Sequence, residues 1–269
     1  MNMDFTISSY KSLLEALISV GYSLITFQDY LTTNPSGKFV ILRHDVDELA
    51  GNALKIAIAE HELGVRSTFY FRVVKQSNHP EIIRQIVKMG HEVGYHYEDL
   101  SAMDGDYQKA IESFEKNLDY FRQYYPVKTV CMHGSSTSKY DNRTLWQYYR
   151  LEDYGVLGEP YISIDFDKVF YLTDTGFAWD GGKYAVRDIV VNNHGLTFHS
   201  TEQIVRAIRC GKFPQQSMIL AHTLWSDNLL QWTFLHCREW LRNSIKGMAM
   251  DNAFVAKIYS RLVKAYWKR

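Results

Sequence analysis

Apolar residues recur along this chain in two alternating rhythms. Leu13, Leu14, Leu17 and Ile18 share one face of a helix, and Gly21 stops it. Phe39-Val40-Ile41-Leu42 is a continuous apolar run of buried-strand length. The alternation then repeats. Leu54, Ala57, Ile58 and Leu63 predict a helix ended by Gly64, Thr68 to Phe71 a strand, and Ile82, Ile83, Ile86 and Val87 a helix closed by Gly90. Val93 to Tyr97 reads as a strand, and Ala110, Ile111, Phe114, Leu118 and Phe121 as a long amphipathic helix. Lys128 to Met132, Val169 to Leu172 and Ser217 to Ala221 are further strands, and Ser200-Thr201-Glu202-Gln203 is a capping box opening a helix to Arg209. Strands separated by helices imply parallel βαβ units, and hence a doubly wound sheet or a barrel. No repeat, low-complexity tract or linker divides the chain, so residues 1–269 are expected to form one domain. From Leu229 onward the tail is mostly helical, and it suits internal packing or a dimer surface.

Several of these strands end in groups that bind metal or move protons. Phe39 to Arg43 runs into His44-Asp45-Val46-Asp47, and Val93 to Tyr95 into His96. Val130 to Met132 runs into His133, Phe170 to Leu172 into Thr173-Asp174, and Ile219 to Ala221 into His222. In a β/α barrel the C-terminal strand ends converge on one face, where active sites are built. Five such endings point to a shared site rather than to five unrelated polar residues. Asp45 and Asp47, two apart, point the same way on a regular strand. Beside a cation, one of the pair can ligate while the other serves as a general base; the competing role for either is to cap the next helix. His44 and His91 neighbour these positions but alternate away from them, behind the strands. His199 precedes the Ser200 cap and is a candidate for the pocket mouth, while Trp179 and Trp225 are candidate sugar platforms or core. Gly134-Ser135-Ser136 lacks the Gly-x-Ser-x-Gly pattern of a nucleophile elbow, which disfavours a serine hydrolase.

Composition narrows the partners. Lys plus Arg and Asp plus Glu both number 30, a balance that argues against nucleic acid. The three cysteines, Cys131, Cys210 and Cys237, share no metal-type spacing and suggest no disulfide framework. The first ten residues lack a basic-then-apolar signal pattern, and no stretch reaches the ~20 apolar residues of a membrane span. A reducing, cytoplasmic setting without membrane insertion is the expectation.

At the strand-end residues the sequence resembles the polysaccharide deacetylase family, carbohydrate esterase family 4. Arg43-His44-Asp45-Val46-Asp47 is similar to its first motif, in the variant that separates the two acids by one residue. Ser67-Thr68-Phe69-Tyr70-Phe71 is similar to the Ala-Thr-Phe-Phe segment of its second strand. Gly90-His91-Glu92-Val93-Gly94-Tyr95-His96 is similar to Gly-His-Glu-Ile-Gly-x-His, and Ile219-Leu220-Ala221-His222 to the late Leu-x-His motif. The similarity runs in order from about residue 38 to 225.

The resemblance implies a distorted (β/α) barrel that removes acyl groups from N-acylated sugars. It implies Asp45 as general base, Asp47 and His96 as metal ligands, and His222 as general acid, with the roles of Asp45 and Asp47 open to exchange. The family's second metal histidine, four residues after the first, is here Leu100. His133, Glu98 and Asp99 are the candidates to replace it, and His133 is preferred because it closes a neighbouring strand. The family's third motif, an Arg near Pro-Tyr or Pro-Phe, is replaced by Met132-His133-Gly134-Ser135, and the fourth corresponds to Asp174 through Trp179-Asp180. A divalent metal is expected, zinc first, with cobalt, nickel, iron or manganese as alternatives. The expected substrate is a small molecule or oligosaccharide such as a soluble glycan precursor. The competing classes are a non-catalytic carbohydrate-binding or scaffolding homologue and a metal-dependent amidase acting on a non-sugar.

Overall fold

The computed structural model describes residues 3–134, 138–179, 190 and 194–251, with side chains described to residue 245 of the last helix. Its centre is a seven-stranded sheet in which every pairing is parallel. The strands are β1 (Ser23–Ile25), β2 (Phe39–Val46), β3 (Thr68–Phe71), β4 (Glu92–Tyr97), β5 (Val130–Met132), β6 (Phe170–Thr173) and β7 (Gln216–Leu220). The order is β5-β4-β3-β2-β7-β6, with β1 beside the first half of β2. The predicted distorted (β/α) barrel is thus present in incomplete form: among the described residues β5 and β6 are not paired. Between them lie two 3-10 turns, the short helix α7 (Pro160–Ser163) and a single parallel bridge from Thr129 to Gly158.

The alternation within β2 divides the molecule. Val40, Leu42 and Val46 pack outward against the helical layer, which includes α1 (Ile7–Ser19), α3 (Ala50–Glu62), α4 (Pro80–Lys88), the short α5 (Asp99–Ala102), α6 (Tyr107–Arg122) and α8 (Thr201–Arg209). Phe39 and Ile41 turn inward to meet Tyr70, Cys131, Tyr171, Met218 and Leu220. Ile18 and Ile58, counted above in apolar stripes, are exposed at the edges of their helices. The predicted Ser200 cap is present, its side chain accepting from Gln203 N.

Among the elements that escaped the periodicity, β1 and α2 (Phe27–Thr33) together close the floor of the barrel. Phe27 N–H donates to Thr68 Oγ1 at 2.8 Å, and Gln28 N–H to the buried Glu92 carboxylate at 2.9 Å. Glu92 also accepts from Thr68 Oγ1 at 2.7 Å and from Thr129. Gly94, two residues along the same strand face, has to be glycine. A Cβ there would sit 2.3 Å from the Tyr70 ring and 2.8 Å from the Thr129 carbonyl oxygen, so the tyrosine could not cross the interior. Among the described residues no helix is long and apolar enough to cross a membrane.

Candidate active site

Inward alternation carries Arg43 and Asp45 up β2 to the open end, where the chain leaves the sheet at Asp47. The turn that follows is strained and firmly tied. Leu49 adopts a left-handed conformation (φ 57°), Glu48 O accepts from Thr223 Oγ1, and Asn52 Nδ2 donates to Thr223 O at 3.1 Å. Arg238 of α9 (Leu229–Asp251) pairs with the Glu48 carboxylate at 2.6 Å. Asp47 is thereby fixed at the mouth.

Three of the predicted residues meet there. Asp47 Oδ1 lies 3.4 Å from His96 Nε2 and 3.5 Å from His133 Nε2. Both rings are anchored through the opposite nitrogen. His96 Nδ1–H donates to Cys131 O at 2.9 Å, and His133 Nδ1–H to Glu98 Oε2 at 2.9 Å. Each anchor fixes the tautomer and leaves Nε2 aimed at Asp47, the outer-sphere support typical of metal-binding histidines. Asp47 Oδ1 is nevertheless buried without a hydrogen-bond partner. An orphaned carboxylate oxygen beside two imidazole nitrogens has the donor chemistry of a cation site, although the three ligand atoms are not gathered within 4.8 Å of one another as those of Asp45, His96 and Cys131 are. Zinc bound at about 2.0–2.1 Å would hold neighbouring ligand atoms roughly 3.3 Å apart, close to both spacings.

Glu98 and Asp99, the other candidates to replace the ligand missing at Leu100, are otherwise engaged. Glu98 divides its oxygens between His133 and Arg72, accepting from Arg72 Nη2 at 2.6 Å and Nε at 3.1 Å. Burial resists its ionisation, but His133 and Arg72 together pull its pKa down to about 2. Asp99 turns away to Tyr95, Ser113 and Asn117, and burial raises its pKa to about 6. Leu100 is fully buried core.

Asp45 lies deeper. Arg43, two residues earlier on the same strand face, grips it with both arms, Nε to Oδ1 at 2.8 Å and Nη2 to Oδ2 at 2.6 Å. Burial pushes the Asp45 pKa up, yet Arg43, His96 and His222 outweigh it and the net shift is downward. Burial likewise opposes charging of His96, but Asp45 and Asp47 raise its pKa. A metal ligated at that Nε2 would therefore have to displace a proton.

His222 follows β7 and belongs to the same field, since Asp45 and Asp47 both act on its charge. Its Nδ1–H donates to Asp174 Oδ1 at 2.6 Å, and its backbone N–H also reaches that carboxylate at 3.0 Å. Burial disfavours the imidazolium, but Asp174 prevails and lifts the pKa to about 10. Trp225 is wholly buried and donates Nε1–H to Asp174 Oδ2 at 2.6 Å. Trp179 is buried too, bonded to Thr201. Neither tryptophan is a sugar platform; both are core, one of them bracing the acid.

His44 and His91 lie behind the strands, as their alternation predicted. His44 Nδ1–H donates to Ala221 O at 2.9 Å, and its Nε2 is 2.9 Å from Glu60. His91 Nε2–H donates to Ala57 O at 3.0 Å. His199 is exposed ahead of α8. Ser135, Ser136 and Asp180 fall outside the described residues.

Sequence reasoning assigned no role to Arg43 or Arg72 and did not pair Asp174 with His222. A signal existed for Arg43, because its i, i+2 spacing from Asp45 puts both on one strand face. None existed for the pairing, which depends on β6 lying beside β7.

Fold and site together define an incomplete (β/α) barrel with an aspartate–histidine cluster and a histidine–aspartate pair at its C-terminal strand ends. No protein-family model matches the sequence, and no curated protein matches it significantly. Solved structures similar to it include BA3943 of Bacillus anthracis, a CE4 family pseudoenzyme, at 12% identity and a TM-score of 0.45. That alignment covers 77% of this chain and 62% of the other. A family 4 carbohydrate esterase from Streptomyces lividans in complex with acetate is similar at 17% identity and a TM-score of 0.41, covering 74% and 84%. A mutant of the peptidoglycan deacetylase PdaC from Bacillus subtilis is similar at 11% identity and a TM-score of 0.41, covering 87% and 98%.

Proposed function

We propose that this protein is a metal-dependent hydrolase that removes the acyl group from an N-acylated sugar or glycan precursor. The observation that carries the proposal is Asp47 Oδ1, buried and unpartnered between the Nε2 atoms of His96 and His133. Asp47, His96 and His133 would hold the divalent ion, with zinc the best match to one oxygen and two imidazole donors. The bound ion would supply Lewis acidity, lowering the pKa of a water and polarising the acyl carbonyl.

The protein's own groups would move the protons. Asp45 is ionised, and a carboxylate offers about four lone-pair sites, of which Arg43 occupies two. It can still accept a proton from the attacking water. His222 is held charged by Asp174, with Nδ1–H committed and Nε2–H free to donate. As the C–N bond breaks, that proton passes to the departing amine, and the acyl group leaves as a carboxylic acid. The environments push the two groups apart, Asp45 downward and His222 upward, which supports reading the first as base and the second as acid.

Metal content of the full chain purified without chelator, beside an Asp47→Ala/His96→Ala double variant, tests the proposal. About one equivalent of a transition metal, lost in the variant, with acid released from an N-acyl sugar, is the expected result. No bound metal after addition of zinc, cobalt or nickel would overturn it. Sugar binding without turnover would make the protein a carbohydrate-binding homologue.

A further inference from the structure

Beneath the candidate metal centre lies a second set of ligands that the proposed chemistry leaves unused. Ligand atoms of Asp45, His96 and Cys131 all lie within 4.8 Å of one another, and all three residues are buried. The strand register creates this set. His96 on β4 and Cys131 on β5 are direct partners, and His96 Nε2 is 3.5 Å from Asp45 Oδ2. The Cys131 thiol borders the apolar interior on one side and an imidazole, a carboxylate and the Arg43 guanidinium on the other.

We infer that Asp45, His96 and Cys131 form a second metal site, selective for thiophilic divalent ions, which shares His96 with the Asp47–His96–His133 site and excludes it. Thiolate favours soft ions, whereas the upper set offers only oxygen and imidazole. Ligation releases the Cys131 proton to solvent and draws one Asp45 oxygen out of the Arg43 fork; no electron transfer is involved. An ion bound there removes His96 from the upper site and Asp45 from proton transfer. Thiophilic metals are therefore inhibitors that compete with the functional metal rather than with the sugar.

The site is tested with cadmium on the full, metal-free chain carrying Cys210→Ser and Cys237→Ser, which removes the two exposed thiols. Ultraviolet thiolate-to-cadmium charge-transfer absorbance should grow to one equivalent. Cys131→Ser should abolish it and weaken cadmium binding by more than the roughly 10–100-fold that loss of an outer-sphere partner costs, since here a ligand itself is removed. His133→Ala should leave the band intact. Absence of the band in the parent, or its survival in Cys131→Ser, would overturn the second site, with Cys131→Ala as a check should the serine variant misfold. Zinc titration separates this inference from the proposed function on which its inhibitory consequence rests. Zinc binding that depends on His133, without a cadmium band, leaves the enzyme proposal standing and removes only the lower site. A cadmium band without His133-dependent zinc binding does the reverse.

Discussion

Replacing Glu98 with glutamine tests whether His133 is held in place for a metal. Glu98 is acceptor to two partners at once, His133 Nδ1–H on one oxygen and Arg72 on the other. Glutamine keeps one acceptor oxygen and substitutes an amide donor for the second. With the carbonyl toward Arg72, the amide N–H confronts the His133 Nδ1–H. The imidazole escapes only by moving its proton to Nε2, the nitrogen needed for metal. With the amide reversed, Arg72, 2% exposed at its side chain, faces a donor and loses its counter-charge. Loss of such outer-sphere support weakens metal affinity by about 10–100-fold, roughly 1.4–2.7 kcal/mol. Losing a charge-assisted hydrogen bond should destabilise the metal-free fold by about 1.5–3 kcal/mol, toward the lower end because Glu98 is 18% exposed. Zinc affinity by competition with a chromophoric chelator gives the first quantity, and thermal melts give the second. The folded-state pKa of Glu98, about 2, lies below its ordinary 4.5. Its stabilisation is therefore present above pH 4.5 and lost as pH falls toward 2, so the wild-type and variant melting curves should converge in acid. A folded Glu98→Gln protein with wild-type zinc affinity would refute the role given to His133.

Asp45→Asn should reduce deacylation by about 10²–10⁴-fold while zinc content stays at one equivalent; full activity would remove Asp45 as base. Asp174→Asn should lower the apparent pKa of His222 from about 10 toward its ordinary 6.5 and shift the basic limb of the rate profile the same way, and an unmoved limb would detach Asp174 from the acid. Because the folded pKa of His222 is raised, its stabilisation is complete below pH 6.5 and disappears as pH climbs to about 10. The stability gap between wild type and His222→Gln, read from denaturant melts, should narrow over that window; a gap constant with pH would contradict the ion pair. Gly94→Ala drives a methyl into the Tyr70 ring and should cost about 1–3 kcal/mol, and a variant with wild-type stability would mean that the floor is not close-packed.

Much of the fold was legible because each long element carries its own periodicity. β3, β4 and α4 lie within two residues of where the apolar pattern put them, whereas β2 runs four residues past Leu42 and α3 begins four residues before Leu54. The floor was not legible, because three residues of β1 and seven mostly polar residues of α2 are too short to show a period; tertiary bonds to Thr68 and Glu92 hold them. At the site, alternation sorted His44 and His91 from Asp45 and Asp47, and the strand-end rule brought His133 to the cluster. Two facts lay beyond one-dimensional reading. Glu98 holds His133 in place rather than facing Asp47 itself, and Asp174 reaches His222 only because the last two strands pair.

Phe39–Val46 carries polar residues on opposite sides, Arg43 and Asp45 inward and His44 outward, and this makes its alignment an all-or-none property. A slip of one position would turn Asp45 and Arg43 into the oily helical layer and bring His44 to the reacting side. It would take His44 away from Glu60. No half-shifted arrangement satisfies either side. Single substitutions in this strand should therefore be better tolerated than single-residue insertions or deletions, and sequences drifting from this one can vary its side chains far more freely than its length.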